Sequence, residues 1–346
     1  MSENNNPWSK DFEAGAKPKP AVSSDPHKGE RARKAYGRAV ALVREVFRTP
    51  EEMDRAMLEA MARVADDLIK ELLEDNQDLL ALTVRSTGGN YLPGHAVNVT
   101  IYSIRMAIAL GWGREKLLRL ALAGLMHDIG MTPWLKLASG GKTLSPSEYQ
   151  DLQLHVTESA RLLDRSAGDE DGTWRTVVDI ILHERDRKTR GPRKPRFHTV
   201  SDEVRVASGI LGVADTYEAL THPRSFRRSV IPHAGLKYLL RLEDPTLDRE
   251  AVRLLAGRMT LFPPGSFVRL STGEVGVVCQ VFANRPMRPE VLVLLDRKGE
   301  TLRLPHTVDL NGKDLEHVEA AIDETELQLE DRRLMAALQA ARWWVE

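Results

Sequence analysis

Six residues constrain this chain more than anything else in it: His95, the adjacent pair His127-Asp128, His155, His183 and Asp215. Each falls within or at the end of a segment with helical apolar periodicity. Successive members lie about 30 residues apart, the length of one helix and its return. Helices of that length, packed antiparallel, bring all six to one level of a bundle core. Imidazole and carboxylate together suit Fe, Mn or Zn rather than Mg or Ca, and an aspartate can bridge two ions because it offers two oxygens. A lone histidine on an apolar helix is ordinarily a hydrogen-bonded core residue. His27, His198, His222, His233, His306 and His317 take that reading or a surface one. His127-Asp128 differs by its context. It ends an apolar run (Leu117, Leu118, Leu120, Ala121, Leu125), and Gly130 is placed to terminate that helix. An unpaired aspartate buried there would cost several kcal/mol, a cost that metal ligation removes.

The surrounding pattern is mainly α. Residues 1–27 are polar, rich in Asn, Pro, Lys and Ser, and are expected to form a disordered tail. Residues 28–83 form an N-terminal helical region, with Tyr36, Ala39, Val40, Val43 and Phe47 on one helical stripe. A second helix is expected to open at Thr49-Pro50-Glu51-Glu52 and run towards Leu82. Residues 84–260 continue as helices and hold the candidate metal ligands. Within them, Ser145-Pro146-Ser147-Glu148 is a capping box for a helix reaching Leu163, and Asp248 caps another. The pattern changes at Phe262-Pro263-Pro264-Gly265, and residues 261–312 read as two β-hairpins in a small β unit. Residues 313–346 are expected to form an acidic terminal helix from about Leu315. It carries eight acidic residues and no Lys or Arg between Asp314 and Asp331, and ends in Trp343-Trp344.

The single Cys279 excludes an intramolecular disulfide and a thiolate metal cluster. No run approaches the ~18 apolar residues of a membrane span, and the first residues lack the apolar segment of an export signal, so a cytoplasmic location is expected. With 49 Lys and Arg against 50 Asp and Glu, the balance argues against a nucleic-acid polymer as partner. The charges are unevenly spread, however. Between Arg185 and Arg196, seven of twelve residues are basic and one is acidic.

Tyr91-Leu92-Pro93-Gly94-His95 and Gly124-Leu125-Met126-His127-Asp128-Ile129-Gly130 carry a resemblance to a known family. Ser145-Pro146-Ser147-Glu148 followed by His155, His183-Glu184, and Val213-Ala214-Asp215-Thr216-Tyr217-Glu218-Ala219-Leu220-Thr221 extend it. In this order they resemble the HD-domain metallophosphohydrolases and, more closely, the HD-GYP branch of bacterial cyclic-di-GMP phosphodiesterases. The stretch from Pro264 to Val278 resembles the segment that follows the core in many members. The resemblance implies two divalent ions, Fe or Mn, with Zn as a further choice. His95, His127, Asp128 and Asp215 would hold one, and Asp128, as the catalytic residue, would bridge to a second held by His155 and His183. It also implies phosphodiester hydrolysis of a cyclic dinucleotide by a hydroxide held between the ions.

The chain departs from the family pattern in four places. Leu182 stands where the first His of an HHE triplet is usual, Met131 replaces the HDxGK lysine, and the basic run 185–196 replaces DGxGYP. Pro223-Arg224-Ser225-Phe226-Arg227 replaces DRPYR and keeps both arginines, so Arg224 and Arg227 are the candidate substrate contacts. The basic run has three readings: a solvated loop, a source of phosphate contacts, or a docking patch for an acidic signalling partner. The alternative to catalysis is a degenerate module that binds metal or nucleotide and works through a partner or as an oligomer.

Overall fold

The structure, a computed structural model, describes residues 26–83, 91–134, 145–152, 154–166, 172–184, 200–222, 230–242, 247–258, 262–282, 285–312, 315–323 and 327. The run 185–196, Arg224 and Arg227, Trp343-Trp344 and residues 1–25 lie outside them. The helical part comprises α1 (Pro26–Arg48), α2 (Arg55–Leu73), α3 (Gln77–Thr83), α4 (Tyr91–Ala109), α5 (Arg114–Met126), α6 (Pro146–Leu152), α7 (His155–Ser166), α8 (Thr173–Glu184), α9 (Asp202–Thr221), α10 (Pro232–Arg241) and α11 (Arg249–Arg258). One continuous apolar core runs from Ala32 in α1 to Leu255 in α11, so the N-terminal helices share it.

Helix α4 lies at its centre. From Pro93 to Ile104 every side chain is buried, and α1, α2, α3, α5, α9 and α11 pack around it. A helix enclosed on all sides has no polar face, so its polar residues need partners inside the core. Helix α5 crosses α4 closely at Gly124, where a Cβ would stand 3.0 Å from Thr100 Cα.

Four helix boundaries differ from the sequence expectation. Thr49 makes no side-chain cap, and Pro50–Glu52 is only a 3-10 turn; α2 starts later, where Asp54 accepts a hydrogen bond from Met57 N at 2.8 Å. That helix stops at Leu73 because Asp75 takes a left-handed conformation (φ 52°) before α3 begins. The capping box forms as expected, with Glu148 accepting from Ser145 N at 2.8 Å, but its helix ends at Leu152 and α7 starts afresh at His155. Asp248 caps α11 by accepting from Glu250 N and Ala251 N. Helix α1 begins at Pro26, two residues before the expected boundary.

The C-terminal unit is one antiparallel sheet of β1 (Phe267–Leu270), β2 (Val275–Phe282), β3 (Arg285–Leu295), β4 (Thr301–Asp309) and β5 (Val318–Ile322), in the order β4-β3-β2-β1-β5. Both hairpins are present. Gly273 (φ 90°) turns β1 into β2, and Asp296 accepts from Lys298 N and Glu300 N between β3 and β4. The continuous buried run Val291–Leu295 feeds both faces, Val291 and Val293 on one, Leu292 and Leu294 on the other. Strand β5 takes the place of the first part of the terminal helix expected from Leu315, so the β unit extends past residue 312; the rest of that expected helix, apart from residues 323 and 327, lies outside the described residues. Val318 and Ile322 are both buried, and a four-residue spacing puts a pair on one side of either a helix or a strand. The open edge of β1 decides between them, pairing Val268 with Ala321 and Phe267 with Ile322.

Cys279 is buried within this sheet, and burial pushes its thiol up to about 12. It should resist iodoacetamide at pH 8 in native protein and react once urea unfolds the chain. Because the unfolded thiol ionises from its ordinary 9.0 while the folded one does not, its contribution to stability falls as pH rises from there towards about 12. Equal alkylation rates in the two states would contradict the burial.

Candidate metal centre

The centre is assembled from helix ends and helix middles. The apolar helix α5 stops at Met126; His127 and Asp128 form the turn, and Ile129–Trp134 continues as a 3-10 helix. Gly130 does not end the helix through a left-handed conformation. It serves a close approach instead, since a Cβ there would collide with the His155 carbonyl and Ser159 N of α7. Ser159 locks this contact by accepting from Gly130 N at 2.9 Å and donating to His127 O at 2.7 Å. The turn carrying Asp128 is thereby fastened to the helix carrying His155. Ser159→Ala should cost about 1–2 kcal/mol in urea denaturation, because it strands a buried backbone N–H; an unchanged midpoint would show the clamp to be dispensable.

Every one of the four candidate histidines has its Nδ1 engaged. His127 Nδ1 donates to Gly124 O at 2.8 Å, His155 Nδ1 to Leu152 O, and His183 Nδ1 to Asp179 O at 2.7 Å. His95 Nδ1 faces Glu218 Oε2 at 2.5 Å. With the proton on Nδ1, the Nε2 of His127, His155 and His183 carries a lone pair.

The Nε2 atoms of His95, His127 and His155 converge on carboxylates. Asp128 Oδ2 lies 3.5 Å from both His95 Nε2 and His127 Nε2, and its Oδ1 lies 3.2 Å from His155 Nε2. Asp215 Oδ1 lies 3.3 Å from His95 Nε2. Ligand atoms of His95, His127 and Asp128 lie within 4.8 Å of one another. All five residues are buried, and His127 Nε2, His155 Nε2 and Asp128 Oδ1 make no hydrogen bond. Lone pairs facing lone pairs among buried side chains are what a cation would satisfy, so the residues present fit a metal ion.

The protonation equilibria of the metal-free protein reflect the same crowding. Burial disfavours a charged ring at His95, but Glu218 and Asp215 outweigh it and raise the residue to about 10. Burial opposes ionisation of Asp128, yet His127, His155 and His95 hold it far below the usual carboxylate range. Glu218 is likewise pulled against burial, by His222 and His95, down to about 2.

His95, His127, Asp128, His155 and Asp215 therefore come together as the sequence spacing anticipates. His183 sits half-buried in the last turn of α8, one residue before the buried Glu184. Sequence reasoning passed over Asn98, Glu218 and Ser159. The signal was present in part: Asn98 follows His95 by three residues and Glu218 follows Asp215 by three, so each shares a helix face with a candidate ligand. His222, given either a hydrogen-bonded core reading or a surface one, is a buried core residue whose Nε2 faces Thr83 O at 2.6 Å.

A helical core with His and Asp side chains turned inward, in an arrangement that could hold a metal ion, is the class that the fold and the site define. The family model described as "HD domain" matches residues 67–251, more than half of the chain, and the chain belongs to that family. A second model, "KOW domain associated with HD domain", matches residues 267–330, which take in all five strands of the sheet. The chain is 27% identical over 276 residues to the cyclic di-GMP phosphodiesterase PA4108 of Pseudomonas aeruginosa, covering 79% of this chain and 64% of the relative. It is 21% identical over 204 residues to the cyclic di-GMP phosphodiesterase PdeB of Borreliella burgdorferi, covering 58% and 52% respectively. It thus spans less than two-thirds of the length of either curated relative. Among solved structures, Bd1817, an HDG"Y"P protein from Bdellovibrio bacteriovorus, superposes with a TM-score of 0.53 at 21% identity, covering 67% of this chain and 72% of that one. These relatives support the HD-GYP resemblance read from the motifs.

Proposed function

We propose that the chain is a metal-dependent phosphodiesterase acting on cyclic-di-GMP or a related cyclic dinucleotide in the cytoplasm. The observation that carries this reading is the convergence of three buried ring nitrogens on Asp128, two of them, His127 Nε2 and His155 Nε2, without a hydrogen bond. In it, His95, His127, Asp128 and Asp215 would hold one ion, and Asp128 with His155 and His183 would hold a second, the ions being Fe or Mn, with Zn a further choice. Two such ions would supply Lewis-acid stabilisation of phosphoryl oxygens and a water made acidic near neutral pH. The chain supplies the rest. Asp128 offers its two oxygens to opposite sides, Ser159 holds its turn against α7, and the arginines Arg224 and Arg227, with the basic run 185–196, supply charge for substrate phosphates.

Met131 favours a second reading. Buried, with its backbone N–H on Asp128 O at 2.9 Å, it brings no charge to the position where the family carries a lysine. In that reading the centre is kept, turnover is lost, and the chain serves as a metal- and nucleotide-binding signalling module that engages a partner through residues 185–196.

Elemental analysis of anaerobically purified protein, paired with chromatography of cyclic-di-GMP, separates the two. Two metals per chain with linear dinucleotide or GMP appearing is the expected result. Fully metallated protein that binds the cyclic dinucleotide without turnover selects the module, and metal-free protein under all loading conditions overturns both.

A further inference from the structure

Of the four candidate histidines, three give the Nδ1 proton to neutral backbone carbonyls of their own helical turn or of the turn before it. His95 alone meets a carboxylate, Glu218 Oε2, brought from a helix 123 residues away in sequence. That carboxylate is itself held on its other oxygen. Glu218 Oε1 accepts from Asn98 Nδ2 at 3.2 Å and lies 3.3 Å from His222 Nδ1, and Asn98 Oδ1 accepts from Tyr36 OH at 2.8 Å. His222 Nδ1 also faces Glu218 O at 3.1 Å while its Nε2 faces Thr83 O. Tyr36, His95, Asn98 and Glu218 are each no more than 2% exposed, so the chain of contacts from α1 through α4 to α9 is closed to water.

A buried carboxylate is expensive unless it is fully paired, and this one is aimed at the back of a ring whose front faces Asp128 and Asp215. A carboxylate behind an imidazole fixes its tautomer and makes the other nitrogen a stronger donor than a backbone carbonyl would. We propose that Glu218 is a positioning residue that locks His95 with Nε2 presented to the centre, and so makes the ion position served by His95 the tighter of the two. The inference rests on the reading that the cluster holds metal. A purely structural knot between α1, α4 and α9 would also explain the contacts. Such a knot predicts a loss of stability that falls on both ion positions alike or on neither, whereas a positioning role predicts a loss confined to one.

The test is Glu218→Gln, which keeps the shape and the Asn98 contact but removes the charge. Wild type and variant are titrated with Mn²⁺ and with Zn²⁺ in competition with a chromophoric chelator, with far-UV circular dichroism and apo-protein melting run alongside. The expected result is two unequal affinities in wild type, of which only the tighter weakens in the variant, by about 10- to 100-fold. Tyr36→Phe, which unfastens the far end of the chain of contacts, should move the same affinity in the same direction by less. Equal changes at both positions, or none at either, overturn the inference while leaving the metal reading standing. Wild type that binds no ion overturns the metal reading and the inference with it. Should Glu218→Gln fail to fold, ¹⁵N-labelled wild type loaded with Zn²⁺ decides. The His95 ring proton is expected on Nδ1, further downfield than those of His127, His155 and His183, and a proton no further downfield than theirs counts against the role.

Discussion

Asp128→Ala should eliminate metal retention and reduce any cyclic dinucleotide hydrolysis by on the order of 10³-fold or more, equivalent to about 4 kcal/mol or more of barrier. The magnitude follows from the geometry, because the two oxygens of Asp128 approach His95, His127 and His155 together, at 3.5, 3.5 and 3.2 Å. Removing it separates the proposed pair of ions as well as weakening each. Asp128→Asn separates charge from shape: it should fold as wild type does and still fail to hold two ions. The check is metal content by elemental analysis before and after dialysis against chelator. A full complement of two ions in either variant would sink the bridging role.

Gly130→Ala is the second large effect, and it acts through the backbone. The added methyl would meet the His155 carbonyl and Ser159 N, neither of which is the movable tip of a flexible side chain. The turn and α7 must part, which places the substitution near the top of the overpacking range, about 3 kcal/mol. Because Asp128 and His155 sit on the two parts being separated, metal affinity should fall along with stability. Gly37→Ala supplies the control. It lies in α1 with nothing within 4 Å of the added Cβ, and should leave metal binding alone while gaining about 0.5–1 kcal/mol from helix propensity. Urea denaturation with a parallel metal titration reads both. Gly130→Ala with wild-type stability would mean that α7 yields freely at this contact.

The parts of this molecule legible in its sequence are those where one physical cause dominates. Helical periodicity placed His95, His127-Asp128, His155 and Asp215 on core-facing helices, and burial of several of them together follows from spacing and polarity. The capping signals show the limit of local inference. Ser145 and Asp248 cap helices as their side chains suggest, yet Thr49 does not, because Asp54 offers a competing cap a few residues later. Strand β5 was hidden because Val318 and Ile322 satisfy either period, and the hydrogen-bonding edge that decides is supplied by β1, roughly fifty residues earlier in the chain. Glu218 was hidden for a related reason. Its spacing from Asp215 marked its face, but its partner His95 lies on a helix that only the tertiary fold brings near.

That separation also sets when the centre can exist. Helix α4 cannot be enclosed until α9 is available to cover it, and closing a loop of 123 residues gives up chain entropy that no contact within α4 repays. During synthesis His95 and Asn98 emerge long before Glu218 and Asp215, so the nascent chain carries polar groups with no buried partners until the last of these helices has been made. Ion binding would therefore reward only a chain that has made α9, and one halted before Asp202 would gain nothing from a metal that draws on Asp215.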